Sequence, residues 1–275
     1  MSVFTVACVQ TNSGPEVEAN LVTVSALVRQ ARERGADFIT LPENVALFEP
    51  SRAKLLAKAE PQDGHRALAA FQALARETGA WLLVGSLAVK LAADQVANRC
   101  FLLDGSGAII ASYDKIHMFD VTLPSGETYR ESSTFAPGQA AVIAQTPWAK
   151  LGMTVCYDLR FAALYRTLAQ AGAEILSVPS AFTQTTGQAH WHVLLRARAI
   201  ETGCFVIAAA QTGRHAEGRL TYGHSLIVDP WGEILADGGE GVGVTLARID
   251  TARVAEVRGM VPSLTHSRLF AAPRG

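Results

Sequence analysis

The feature that most constrains the fold of this chain is an alternation of strand-like and helix-like segments. Apolar runs over 4–10, 37–42 and 81–86 have the length and composition of buried strands, and amphipathic helical patterns over 20–34 and 63–78 separate them. Strands that alternate with helices predict an α/β fold built on parallel pairs. The chain continues with strand-like runs over 98–104, 108–114, 140–145, 152–155, 174–179 and 204–210, and with helical patterns over 159–171 and 189–202. The final runs, 224–229, 233–236 and 243–249, predict a closing antiparallel meander.

Composition limits the class of protein. Of the 275 residues, 49% are hydrophobic and 18% are charged, so the chain can bury a large core, and no break in composition marks a boundary. We expect one domain, with a core over about 3–250 and a C-terminal tail over 251–275. A net charge of −1 gives no electrostatic reason to expect a nucleic acid or an anionic membrane as partner. A small molecule is the expected partner. No glycine-rich phosphate loop is present, and no cofactor is expected.

The four cysteines indicate a reducing compartment. Cys8, Cys100, Cys156 and Cys204 are far apart and form no CxxC pair. Met1 leads directly into a strand-like run, without a basic leader or an apolar run near ~18 residues. A cytoplasmic chain is therefore expected, and neither secretion nor membrane insertion is supported.

Cys156 lies where a nucleophile is well displayed. The apolar run 151–155 ends at this cysteine and a helical pattern begins at Leu159, which predicts a tight turn from strand to helix. Open α/β sheets place their sites at such strand ends, and the N–H groups at a helix start favour negative charge. The alternative is a small core residue, which is the expectation for the other three cysteines.

Two further reactive residues also follow strand-like runs. Glu43 follows 37–42, and Lys115 follows 108–114, the second arm of a hairpin that turns at 105–107. A thiol with a pKa near ~8.5 is only a few per cent thiolate at neutral pH, so it needs a base or a cation. Glu43 can be the base, while Lys115 and the N–H after Cys156 can hold an oxyanion. Taken alone, each would be an ordinary surface charge.

The segment 116–138 lacks periodicity and contains Pro124, Gly126, Pro137 and Gly138. A structureless loop of this length is usually functional or disordered, and a functional loop is expected here. Glu131 is an acidic residue in this loop.

His190 and His192 are the histidines that suggest a metal site. Residues two apart do not share a helix face, and no Asp, Glu or Cys ligand set is close to them in sequence. No metal site is expected, and structural or substrate-wall roles are favoured.

Three segments together resemble the signature motifs of the nitrilase, or carbon–nitrogen hydrolase, superfamily: 41–44 (Leu-Pro-Glu-Asn), 113–117 (Tyr-Asp-Lys-Ile-His) and 155–161 (Val-Cys-Tyr-Asp-Leu-Arg-Phe). The resemblance runs from about 3 to 249. It implies a four-layer α-β-β-α sandwich, which two subunits extend by pairing through helices, and hence a homodimer or higher oligomer. It also implies that Glu43 is the general base, Lys115 the oxyanion holder and Cys156 the nucleophile. Glu131, six residues before Pro137, fits the second active-site glutamate of the superfamily.

Within the superfamily, the residues after the cysteine favour amides as substrates. Tyr157-Asp158 stands where nitrilases carry Trp-Glu, and the segments 180–183, 190–191, 194–201, 208–211, 213–215, 222–225 and 228–232 are similar to the deaminated glutathione amidase branch. His192 departs from that branch, which usually carries Glu there. The resemblance implies a linear amide that bears a carboxylate, with substrate-binding residues Tyr157, Arg160, Phe182 and Thr183. Arg160 can grip the carboxylate in a bidentate manner, or it can be a helix-surface arginine.

Three functions follow as hypotheses. The first is hydrolysis of deaminated glutathione through a cysteine thioester. The second is an omega-amidase for 2-oxoglutaramate and 2-oxosuccinamate, a branch that shares the pattern over 115–121. The third is a catalytically silent ligand-binding scaffold, which the presence of Glu43, Lys115 and Cys156 disfavours.

Overall fold

A computed structural model describes residues 2–123, 126–271 and 273; Pro124 of the predicted loop lies outside them. Within this part of the chain the helices are α1 (Val17–Glu33), α2 (Arg52–Lys58), α3 (Arg66–Thr78), α4 (Ala162–Gln170), α5 (Gln184–Thr202) and α6 (Ala252–Met260). The strands are β1 (Val3–Gln10), β2 (Phe38–Thr40), β3 (Trp81–Ala92), β4 (Gln95–Leu103), β5 (Ile109–Asp114), β6 (Asp120–Thr122), β7 (Thr128–Arg130), β8 (Phe135–Ala136), β9 (Val142–Gln145), β10 (Lys150–Met153), β11 (Ile175–Ser177), β12 (Phe205–Ala208), β13 (Thr212–Arg214), β14 (Leu220–Tyr222), β15 (Leu226–Val228), β16 (Ile234–Asp237) and β17 (Gly243–Asp250).

The strands form two main sheets. The first sheet has the order β17-β1-β2-β3-β4-β5, with β8 beside β4, and the second has the order β16-β15-β12-β11-β10-β9. Each sheet contains a central parallel set, β1-β2-β3 and β10-β11-β12, as the alternation of strands and helices predicts. Two small hairpins, β6–β7 and β13–β14, lie outside these sheets.

Side chains of β1 show how the layers are arranged. Val6 and Cys8 point into a core shared with the second sheet, whereas Ala7 and Val9 point to the other face and pack with buried residues of α1. This is the two-residue alternation of a strand that is buried on both faces. Helices α1 and α3 cover the first sheet, and α4 and α5 cover the second. The predicted α/β fold and the α-β-β-α sandwich are therefore confirmed.

The predicted closing meander is wrong. β15 and β16 form an antiparallel hairpin in the second sheet, but β17 crosses to the first sheet and pairs along all of β1, from Val3–Asp250 to Gln10–Gly243. The strand-like pattern over 243–249 shows that a strand forms. It carries no information about the sheet edge that the strand joins, because both edges offer the same unpaired backbone groups.

Several element boundaries also differ from the predictions. The segment 116–138 is not structureless, because β6, β7, β8 and a 3-10 turn at Glu131–Ser133 lie in it. Helix α5 begins five residues before the predicted start, through a polar stretch in which Gly187 packs against Tyr222 and gives no apolar periodicity. Helices α2 and α6 were not predicted. α6 lies in the predicted tail and buries Val254 and Val257. Among the described helices, none combines the length and the apolar character of a membrane span.

Candidate active site

Three strand ends bring the predicted acid, amine and thiol together. Glu43 follows β2, Lys115 follows β5 directly, and Cys156 lies three residues after β10. The Nζ of Lys115 is 2.9 Å from Oε1 of Glu43, and both side chains are buried. Cys156 lines the same cavity as Glu43 and Lys115, and the charge of the Glu43 carboxylate acts on its thiol. The structure therefore places these three residues in one site.

The same ammonium group binds Glu131. Lys115 Nζ lies 2.9 Å and 2.8 Å from the two Glu131 oxygens. The backbone N–H of Phe119 donates to Oε2 of Glu131 at 2.6 Å, which fixes the carboxylate against the start of the loop. Glu131 and Glu43 therefore share one ammonium group.

Asn98 is a site residue that the sequence analysis missed. Its side-chain amide donates to Oε1 of Glu43 at 2.9 Å and to Oε1 of Glu131 at 3.1 Å. Its backbone C=O accepts from the N–H of Lys115 at 3.0 Å. An asparagine within the apolar run of β4 is the signal that was available, because a buried amide needs partners.

The backbone at Cys156 is unusual. Its φ is +48°, a left-handed conformation that is uncommon for a residue other than glycine, and its N–H donates to the C=O of Pro179 at 2.9 Å. Residues Cys156–Arg160 form a 3-10 turn, and α4 begins only at Ala162. The predicted tight turn is present, but the predicted helix start at Leu159 is wrong, since the N–H groups that follow Cys156 belong to the 3-10 turn.

Asp158 joins the cysteine turn to the lysine loop. Its fully buried carboxylate accepts from Tyr113 Oη at 2.7 Å, from the backbone N–H of Val155 at 2.9 Å and from the backbone N–H of His117 at 3.0 Å. The ring of His117 also contacts it, at 2.7 Å. In the sequence, Asp158 stands out only as part of the motif over 155–161. Its contacts show that it holds the segments of Lys115 and Cys156 in a fixed relation.

Charge and burial set the protonation of the central groups. Burial raises the pKa of the Cys156 thiol above its usual value, and the charge of Glu43 raises it further, while Lys115 opposes both. Burial works against ionisation of Glu43, but the charge and hydrogen bond of Lys115 prevail and lower the pKa of that carboxyl. Burial likewise opposes the charged form of Lys115, yet Glu131 and Glu43 together raise the pKa of its ammonium. At neutral pH the site therefore holds an ammonium, a Glu43 carboxylate and a neutral thiol.

A cavity of about 210 Å³ opens beside these groups. Cys156, Glu43, Lys115 and Glu131 line it, together with Phe182 and Thr183. Tyr157 and Arg160 are not among the described residues that line it. The Arg160 guanidinium lies 5.3 Å from the Phe182 ring and 3.3 Å from Nδ1 of His190.

His192 has partners that its sequence neighbours do not reveal. Its Nε2 is 3.1 Å from Oδ2 of Asp237, and Nδ1 of His224 is 2.9 Å from Oδ1 of the same carboxylate. No carboxylate is close to His192 in sequence, but β16 brings Asp237 to the side of α5. Both imidazoles therefore hydrogen bond to the same carboxylate.

Comparison with known proteins agrees with this geometry. Residues 5–259 match the family model of the carbon-nitrogen hydrolases. The chain is 44% identical to deaminated glutathione amidase of Rattus norvegicus, over 96% of this chain and 82% of the relative, and 42% identical to that of Synechocystis, over 98% and 100%. The crystal structure of the Caenorhabditis elegans NitFhit protein superposes with a TM-score of 0.91 at 35% identity, over 98% of this chain and 66% of that one.

These matches confirm the predicted superfamily, the predicted branch and the predicted amidase class of enzyme. The family model matches most of the chain, and relatives above 40% identity match nearly all of it. The chain therefore belongs to the carbon-nitrogen hydrolase family.

Proposed function

We propose that this amidase hydrolyses deaminated glutathione or a closely related linear amide that bears a carboxylate. The observation that carries the proposal is the contact of one buried ammonium, that of Lys115, with the Glu43 and Glu131 carboxylates beside the Cys156 thiol. Such an arrangement supplies a nucleophile, a base and an oxyanion holder in one cavity. The high identity to relatives named deaminated glutathione amidase supports the choice of substrate.

The first half of the reaction forms a thioester. Glu43 accepts the thiol proton while Sγ of Cys156 attacks the amide carbon, so the π electrons of the C=O move to oxygen. Lys115 and the backbone N–H that follows Cys156 stabilise this oxyanion. The tetrahedral intermediate then collapses, the C–N bond breaks, and the protonated Glu43 delivers its proton to the leaving nitrogen.

The second half releases the acid. Glu43 accepts a proton from a water molecule, whose oxygen attacks the thioester carbon. The C–S bond of the second tetrahedral intermediate breaks, and the thiolate recovers its proton from Glu43. Each group returns to its starting state, with Glu131 holding the Lys115 ammonium in place throughout.

The other two functional hypotheses have less support. The relatives reported above carry the name deaminated glutathione amidase, which does not favour the omega-amidase alternative. A silent scaffold would have no use for a buried ammonium between two carboxylates, an arrangement that is costly to desolvate. We also propose a cytoplasmic location, which the four free cysteines support. The proposal further includes a single domain and a homodimeric or larger assembly.

Activity measurements with cysteine variants test the proposal. Purified protein is assayed for hydrolysis of deaminated glutathione and of 2-oxoglutaramate, and we expect kcat/KM to be higher for the former. Cys156→Ala should lower kcat by roughly 10⁴-fold or more, because the covalent route is lost. Cys204→Ala, at a buried cysteine far along the chain from the site, is the matched control. Retention of activity by Cys156→Ala would contradict the mechanism.

A further inference from the structure

We propose that Arg219 forms the subsite that binds the carboxylate of the substrate. The ligand class is a monoamide of a dicarboxylic acid, with the carboxylate about four bonds from the amide carbon that Cys156 attacks. This inference rests on the proposed function and refines it by locating the group that selects anionic substrates.

Arg219 lies in the cavity, close to the reacting groups. Its side chain lines the same cavity as Cys156, and its Nη2 donates to the C=O of Ala181 at 3.1 Å. The N–H of the same Ala181 donates to Oε2 of Glu43 at 2.9 Å. One residue therefore separates the guanidinium from the Glu43 carboxylate beside Cys156, and the path from that Oε2 to Nη2 is at most about 10 Å.

That distance suits a short dicarboxylic chain. Four carbon–carbon bonds span about 5 Å, and a hydrogen bond at one end and the attacking sulfur at the other each add roughly 3 Å. A carboxylate held by Arg219 thus leaves the amide carbon within reach of Cys156.

The guanidinium has donors to spare. Among the described residues, the Arg219 nitrogens donate only to the C=O of Ala181, and no carboxylate lies within ion-pair distance of the guanidinium. Because Nε is closed to solvent, the donors that a ligand can reach are those of the two Nη atoms. A carboxylate can accept two parallel hydrogen bonds from these two atoms.

Two aromatic rings orient the group. The Arg219 guanidinium lies 4.9 Å from the Phe48 ring centroid and 5.0 Å from that of Tyr129. Stacking on aromatic faces restrains a guanidinium while leaving its N–H edge available. The fork of donors is thereby held before the substrate arrives.

The other arginines near the cavity are less suited to this role. Arg52 and Arg130 also line the cavity, but the nitrogens of Arg52 donate to the C=O groups of Ser133 and Asp94, and Arg130 donates to Tyr129. The predicted carboxylate ligand, Arg160, does not line the cavity. Arg219 and Arg160 are thus competing assignments of one function.

The test compares a charged amide with its uncharged counterpart. The substrates are glutaramate and pentanamide, which differ at the end remote from the amide, and the variants are Arg219→Gln, Arg160→Gln and Arg214→Gln. Arg214 is the matched control, an exposed arginine on β13. For Arg219→Gln we expect the ratio of kcat/KM for glutaramate to that for pentanamide to fall about 10- to 100-fold, mainly through KM. Arg214→Gln should keep the wild-type ratio.

A binding measurement keeps this inference separate from the proposed function. Glutarate should protect Cys156 from alkylation by iodoacetamide, measured by mass spectrometry, and Arg219→Gln should weaken that protection about 10-fold or more. Equal protection of the wild type and Arg219→Gln, or loss of the selectivity ratio in Arg160→Gln instead, would overturn the assignment. If the wild type hydrolyses no amide, the proposed function fails, while weaker protection in Arg219→Gln would still support the subsite.

Discussion

At the scale of single residues, one ammonium group controls the charge of the site. Lys115 neutralises one of two carboxylates and keeps Glu43 ionised, while burial keeps Cys156 in the thiol form. The resting site therefore holds a base and a neutral nucleophile, and the proton moves as the sulfur attacks. Asn98 adds a neutral donor to both carboxylates and contributes no charge of its own.

The pH dependence of activity follows from this arrangement. The pKa of Glu43 is lowered, so Glu43 stays ionised below its usual range, and kcat/KM should fall only as the pH drops below about 4.5. Asn98→Asp removes a donor and adds a negative charge next to Glu43. Both changes favour the protonated acid, and the acid limb of the pH profile of kcat/KM should move upward by roughly one to two pH units.

The control for this prediction is Asn98→Ala, which removes the donor without adding charge and should move the limb less. Circular dichroism at each pH distinguishes titration from unfolding. The same lowered pKa stabilises the fold above the usual glutamate pKa, and that contribution is lost as the pH falls through the lowered value. An acid limb that does not move in Asn98→Asp would show that Glu43 does not set it.

At the scale of elements, the strand ends were predictable and the connections between them were less so. Hydrophobic runs identified the strands before Glu43, Lys115 and Cys156. A residue that follows a buried strand lies at the C-terminal end of that strand. The residues that hold the site, Asn98 and Asp158, look ordinary in sequence because their importance arises from partners 33 to 55 and 41 to 45 positions away. The pairing of β17 with β1 depended on tertiary structure in the same way.

The site also requires glycine at position 85, because the backbones before Glu43 and Ala181 lie very close to β3 there. A Cβ at this position of β3 would lie 2.0 Å from the C=O oxygen of Leu41, 2.5 Å from that of Pro42 and 2.6 Å from Cβ of Pro179. These residues precede Glu43 and Ala181, so the backbone must move for any side chain to fit. Gly85→Ala should lower the free energy of unfolding by about 3 kcal/mol or more and displace Glu43.

Chemical denaturation and kcat measure these two effects of Gly85→Ala. Gly14→Ala is the matched control, because a Cβ there meets nothing within 4 Å and the backbone is not left-handed. Equal stability of the two variants would show that β3 can shift without cost to the site.

At the scale of the whole molecule, one outer face of the sandwich leaves large apolar side chains in water. Val193 is 68% exposed and Ile200, seven residues later on the same face of α5, is 52% exposed. Trp231, 52% exposed, lies in the turn whose Gly232 C=O accepts from Arg196 of the same helix at 2.8 Å. We propose that these exposed apolar side chains belong to the surface through which subunits pair.

The assembly can be tested by placing charge on this face. The double variant Val193→Asp/Ile200→Asp should shift the mass measured by light scattering from a dimer or larger oligomer to a monomer, because a stable interface buries about 800 Å² per partner and tolerates no unpaired charge at its centre. Val22→Asp is the control, since Val22 is 74% exposed on α1, which covers the other sheet. A wild-type monomer, or a double variant of unchanged mass, would contradict the assignment of this face.

Because α5 begins directly after Thr183 of the cavity, loss of the partner should also raise KM if the interface fixes that end of the helix.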